Sequence, residues 1–222
     1  MRSNSRLGVA AIVGLTCAAL SGCALTQKSD PVTLRYFAPD SASASREPAS
    51  DASLGRGLEL RIGRVNAASS IKDRISFRDE THEVGYYDDL RWSEKPETYL
   101  RRAVGRALFE DRGVRELVGR PGSTLEVELD AFEELRAPRH VARVEVTWML
   151  RDEQEVKLQR TFSVERPIAA VAADRRADAI ASAMAAALGE AVSTIASGAV
   201  GEMSRERAAA PPAPVAGAAA PR

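Results

Sequence analysis

Two runs, Arg143–Leu150 and Val156–Val164, constrain the fold more than any other feature of the chain. In the first, Val144, Val146, Trp148 and Leu150 alternate with polar residues. In the second, Val156, Leu158, Phe162 and Val164 answer them across Arg151–Glu155. A period of two puts one apolar face on each strand, so the pair predicts a hairpin whose face must be covered by another element. Leu58, Leu60 and Ile62 alternate in the same way, as do Ile75 with Phe77, and Leu125, Val127 and Leu129 continued by Ala131-Phe132. Between them, Asp79–Asp89 reads as a polar hairpin or loop that leads into Tyr86-Tyr87-Asp88-Asp89-Leu90-Arg91-Trp92.

Two stretches change period. Pro96 opens a helix, since proline is tolerated in the first turn, and Leu100, Ala103, Val104, Ala107 and Leu108 recur at three- and four-residue steps before Gly113 stops it. A longer helix starts near Asp174, with Ile180, Met184, Leu188, Val192 and Ile195 on one stripe. Strands in pairs, with one helix among them and one after, predict a single α+β domain over 58–200. Its sheet is expected to be mainly antiparallel, with two helices packed on one face.

The long helix carries Glu190 as its one charge between Ala179 and Gly201, which invites a membrane-spanning reading. Its alanine, serine and glycine content and the cost of a mid-span carboxylate argue against that. Its second stripe, Ser182, Ala185, Ala186, Gly189, Ser193 and Ala196, is smooth. Such a face admits close approach by a partner or a second copy, and it is equally what helix propensity alone would give.

The flanks are of another kind. Arg2 and Arg6 precede the uncharged run Leu7–Leu20, too short to span a bilayer and typical of an export signal, residues 1–22. It closes on Leu20-Ser21-Gly22-Cys23, which resembles the lipobox of bacterial lipoproteins. That resemblance implies cleavage before Cys23 and acylation, palmitate included, of its thiol and new amino group. Ala24, where an aspartate would imply retention at the inner membrane, favours the periplasmic face of the outer membrane. Residues 23–57, rich in Ser, Ala, Asp and Pro, read as the acylated N-terminus and a flexible tether, interrupted by a β-prone piece at 32–37. Residues 201–222 read as a disordered Ala/Pro tail.

The chemistry-bearing residues are few. The 222 residues hold 31 basic and 31 acidic side chains, which leaves no basic footprint for nucleic acid. Of two cysteines, Cys17 leaves with the signal and Cys23 goes to lipid, so neither a disulfide nor a cysteine-based zinc site is expected. His82 among Asp79, Glu80, Glu83, Asp88 and Asp89 reads as a solvated acidic loop rather than a metal site, and His140 beside Arg136 and Arg139 as a surface turn. No nucleophile elbow, phosphate loop or carboxylate pair in a cleft stands out, so no catalytic residue, metal or cofactor is expected beyond the covalent lipid on Cys23. Trp92 either packs the first helix onto the sheet or meets a partner. Of Tyr86 and Tyr87, adjacent on a strand, one should face outward as a docking candidate.

In chain order, the lipobox, Leu34-Arg35-Tyr36-Phe37, the strand Leu58–Ile62, Arg74-Ile75-Ser76-Phe77-Arg78, the tyrosine pair and Trp92-Ser93-Glu94-Lys95-Pro96 ahead of a helix form a recognisable series. With the strand Leu125–Phe132, the hairpin and the last helix, the series resembles the ABC-type transport auxiliary lipoprotein family, which includes the lipoprotein of the Pqi system. The resemblance implies a non-enzymatic accessory of a transporter that joins an ABC ATPase and permease to an MCE-domain protein and moves lipid or other apolar molecules across the Gram-negative envelope. It also implies self-association as a homo-oligomer. The residues expected to meet the partner or another copy are Tyr86, Tyr87, Trp92, Ser182, Ala185, Ala186, Gly189 and Ser193. Alternatives are an envelope-assembly or pilot lipoprotein, and a direct lipid-binding carrier using the inner face of the sheet.

Overall fold

Eight strands form the sheet: β1 (Arg35–Phe37), β2 (Glu59–Ala67), β3 (Arg74–Arg78), β4 (Val84–Trp92), β5 (Arg115–Glu116), β6 (Thr124–Leu135), β7 (Val141–Arg151) and β8 (Val156–Pro167). The coordinates are a computed structural model that describes residues 32–39, 53–79 and 82–209. Two helices accompany the sheet, α1 (Pro96–Gly105), prolonged by a π-helical turn at Arg106–Glu110, and α2 (Arg176–Ala209). The fold is therefore α+β, as the period changes predict.

The sheet is organised around β6. One edge of β6 runs antiparallel to β7 from Thr124↔Arg151 to Leu135↔Val141, and β7 pairs in turn with β8. Its other edge is divided between two parallel neighbours, β2 over its first half and β3 at its end. Strand β4 is antiparallel to β3, while β1 lies parallel to β4 and β5 parallel to β2. The sheet is thus mixed, where a mainly antiparallel one was expected. The segment between β2 and β6 contains α1, a crossover long enough to bring β6 back alongside β2 in the same direction. Period-two alternation reports which face of a strand is buried, not the direction of its neighbour.

Both helices cover one face. Leu60, Ile75, Leu125, Leu129, Phe132, Val144, Val146 and Leu150 point from the sheet into a core closed by Leu100, Val104 and Leu108 of α1 and by Ile180, Met184, Leu188, Val192 and Ile195 of α2. Helix α2 lies mainly on β7 and β8, and α1 on β2. With its leading turn, α2 is long and apolar enough to cross a bilayer by length and composition, but its apolar stripe is spent on the sheet. Tyr99, buried on the first turn of α1, ties down the entry to the helix: its hydroxyl meets Ser93 Oγ at 2.7 Å and accepts the Glu94 backbone N–H at 2.8 Å.

Helix α2 also runs past the expected boundary at residue 200. Residues 201–209 are helical because Met203 is buried, Lys157 pairs with Glu206 at 2.6 Å, and Arg207 donates to the Arg56 carbonyl at 3.2 Å. The part of the expected tail at 210–222 lies outside the described residues, as do the signal segment, Cys23 and most of the tether. From the tether, Arg35–Phe37 pairs with Leu90–Trp92, and the turn at Ser53–Gly57 is tied by Gly55 N–H to the Arg112 carbonyl at 2.9 Å.

Candidate docking groove

Ser182, Ala185, Ala186, Gly189 and Ser193 fall on one side of α2 because their spacing keeps to three- and four-residue steps. All five line one open groove of about 530 Å3, whose opposite wall is Ala103, Arg106 and Ala107, followed by Asp111 and Arg112. Leu188 and Val192, otherwise part of the core, and Pro39 also line it. The groove exists because the α2 side chains here are too short to fill the space between the helices. Arg112 bridges it: its guanidinium donates to the Ala107 carbonyl at 3.0 Å and to Ser197 Oγ at 2.9 Å, joining the end of the π-helical turn to α2. Ala196, on the same sequence stripe, is fully buried and takes no part.

The aromatic candidates do not join this groove. Trp92 is 2% exposed, its ring centroid 5.1 Å from that of Phe132, so it packs the core and has no surface to offer a partner. Tyr86 and Tyr87 are each half-buried and each engaged. The Tyr86 hydroxyl donates to the Ser70 carbonyl at 2.6 Å, with the Arg74 guanidinium over its ring. The Tyr87 hydroxyl donates to Glu134 Oε2 at 2.5 Å, and its ring meets Phe77 edge-on at 5.2 Å. Of the two, Tyr87 is the ring packed against the core, and Tyr86, on the opposite side of the strand, is the outward one, with its hydroxyl tied to Ser70.

Glu134 is the electrostatic centre of the molecule. Its side chain is fully buried near the end of β6, and besides Tyr87 it holds His140 Nε2 at 2.6 Å, Arg176 at 3.1 Å and Arg136 at 3.4 Å. Burial alone would push this carboxyl up, but the hydrogen bonds from Tyr87, His140 and Arg176 outweigh it and hold Glu134 below its ordinary range. The same burial, with the bond to Glu134, raises the Tyr87 phenol. Arg136 also stacks on Phe77, 3.3 Å from the ring centroid, and pairs with Asp79. Four segments meet at this carboxylate: β4, β6, the turn before β7 and the start of α2. His140 is thus an anchor of this cluster, in addition to lying in a turn. The sequence reading did not single out Glu134, because a glutamate pair inside a strand carries no mark of burial.

Little of the structure favours other chemistry. His82 is exposed, and among the described residues no group of three or more His, Cys, Asp and Glu side chains is placed to hold a metal. The inner sheet face leaves no lipid-sized space at Trp148. That ring is 2% exposed, and a Cβ at Gly198 of α2 would lie 2.7 Å from its Cζ2.

The fold is found elsewhere. The protein XCC0632 from Xanthomonas campestris has a crystal structure that matches at a TM-score of 0.65 and 24% identity, over 78% of this chain and 99% of that one. An uncharacterized protein of known structure matches at a TM-score of 0.52 and 15% identity, over 75% and 98%. No curated protein matches significantly. The family model for the ABC-type transport auxiliary lipoprotein component matches residues 39–196, a stretch that runs from the end of β1 through both walls of the groove. The chain belongs to the ABC-type transport auxiliary lipoprotein family.

Proposed function

We propose that the protein is a non-catalytic, lipid-anchored accessory of an ABC transporter that works with an MCE-domain protein and moves lipid or other apolar molecules across the Gram-negative envelope. Acyl chains on Cys23 hold it at the periplasmic face of the outer membrane, and the groove between α1 and α2 receives an element of the transporter. The observation that carries this reading is the family match over residues 39–196. The Leu20-Ser21-Gly22-Cys23 motif supports the anchor, and the groove lined by Ser182, Ala185, Ala186, Gly189 and Ser193 supports docking, since short side chains let a partner backbone approach closely. The mechanism is tethering and shape recognition, with no bond made or broken in the cargo.

Affinity capture of the tagged full-length protein from envelope membranes tests this. Co-purification of an ABC permease or ATPase with an MCE-domain protein is the expected result. Recovery of assembly machinery alone would favour the pilot-lipoprotein alternative and overturn the proposal.

A further inference from the structure

A second cavity opens beyond the end of β6, where the turn before β7 meets the connection from β8 into α2. It measures about 420 Å3 and is lined by Arg136, His140 and Arg176 together with Ala169, Ala170 and Val171. Half of this lining bears basic nitrogen, half is short and apolar, and no acidic side chain is among it. None of the six residues belongs to the groove between α1 and α2. Two backbone bonds bring the segments together. Arg136 N–H donates to the Arg78 carbonyl at 2.9 Å as β6 ends, and Ile168 N–H donates to the His140 carbonyl at 3.1 Å, just before Ala169.

The buried Glu134 carboxylate holds all three basic side chains, yet it does not exhaust their donors. Arg136 is the most committed, with Nε on Glu134, Nη1 on Asp79 and its plane on Phe77, so it is a fixed wall. Arg176 gives only Nη2 to Glu134, at 3.1 Å; its Nε and Nη1 have no partner among the described residues, and its side chain is about half exposed. His140 gives Nε2, at 2.6 Å, and its Nδ1 is likewise unpartnered there; that nitrogen donates once the ring is protonated. One buried carboxylate thus serves two guanidiniums, and Asp79, which pairs with Arg136, is half exposed to water. Asp174 and Asp178, at the start of α2, do not line the cavity, and Asp178 pairs with Arg35. A surplus of positive charge therefore remains toward the cavity, beside the N-terminal end of the 34-residue α2, whose dipole adds to it.

We infer that this cavity is a phosphate-binding site. Guanidinium donors held in place by a carboxylate behind them suit phosphate, whose oxygens accept several charge-assisted hydrogen bonds at once. The cavity is larger than a bare phosphate needs, and Ala169, Ala170 and Val171, all exposed, offer an apolar wall to carbon attached to it. The ligand chemistry is therefore a phosphate anion, and its two sources are the headgroup of a phospholipid and free phosphate. The site is independent of the groove and of the identity of the transporter.

The chain has two histidines, so ring NMR of the full-length protein in a non-ionic detergent reads the site directly. His140 lines the cavity, and exposed His82, ahead of β4, is the internal control. Inorganic phosphate and, separately, dihexanoyl phosphatidylglycerol are titrated at an ionic strength held constant with chloride. Each should move the His140 signals to saturation and leave those of His82 in place, while dihexanoylglycerol, which lacks phosphate, moves neither. Saturation at lower concentration by the lipid assigns the headgroup as the source, and by phosphate the free anion; both support the site. Ala170→Asp sets a carboxylate in the cavity at an exposed position outside the Glu134 cluster, and Arg176→Gln removes one guanidinium. Each should raise the half-saturating concentration roughly tenfold or more. Ala170→Asp should also leave the thermal midpoint in place, so it keeps the test decisive if Arg176→Gln loosens the start of α2. The inference is overturned if neither phosphate ligand moves His140 to saturation, if His82 or dihexanoylglycerol responds equally, or if Ala170→Asp leaves the response unchanged.

Discussion

Glu134 shows how a single residue sets the behaviour of the domain with pH. Because the fold holds its carboxyl below the ordinary range, the ionised form is favoured in the native state. The stability this contributes is complete above the unfolded carboxylate value and is lost as pH falls through the lower native one. The raised Tyr87 phenol has the opposite sign, contributing below the unfolded phenol value and losing that contribution as pH rises through the native one. Glu134→Gln should cost about 3 kcal/mol in urea unfolding at neutral pH, the low end for a broken buried ion pair because Arg136, His140 and Arg176 are partly exposed. The same variant should show a shallower loss of stability toward acid than the parent, and an equal slope would contradict the role given to this carboxyl. Two glycines of α2 make a second, opposed pair. Gly198→Ala drives a methyl into the buried Trp148 ring and should lower stability by about 1–3 kcal/mol. Gly189→Ala meets nothing within 4 Å and should raise it by about 0.5–1 kcal/mol, both read from denaturant midpoints. Neither Tyr99 nor Gly198 announces itself in the sequence, since a hydroxyl over a helix entry and a ring under a glycine are contacts between distant parts of the chain.

At the level of elements, what could be read depended on the kind of information each segment carries. Strands β7 and β8 were legible because alternation, a polar turn and matching length all agree, and α1 because Pro96 and Gly113 bracket a clear helical stripe. The parallel neighbours of β6 were not, since nothing in Glu59–Ala67 or Arg74–Arg78 states which way its partner runs. The last two turns of α2 resemble tail in the sequence because their Ala/Arg/Glu composition is ambiguous until Lys157 and Arg56 are brought beside them. The small-residue stripe was legible as a surface, and five of its six members do share the groove, but the opposite wall and the Arg112 bridge were not. Filling that groove separates docking from folding. Ala186→Trp, at an exposed position of the wall, should change stability by no more than about 0.5 kcal/mol yet sharply reduce recovery of transporter components in affinity capture. Undiminished recovery with this variant would remove the groove from the docking surface.

For the whole molecule, the domain and its address act together. A sheet with two helices on one face spends its apolar core on its own packing. Under the proposed function, position is supplied by covalent lipid, where each buried methylene would contribute about 0.8 kcal/mol and two or more chains would make attachment stable without a spanning helix. The order of landmarks along the chain made the family readable, while the anchor expected from Leu20-Ser21-Gly22-Cys23 lies outside the described residues. The most direct measurement is growth with radiolabelled palmitate followed by membrane fractionation of the full-length protein and its Cys23→Ser variant. The account predicts label in the parent and none in the variant, with the variant shifted to the soluble periplasmic fraction. An unlabelled parent, or a Cys23→Ser protein that still carries label and stays with the membrane, would contradict it.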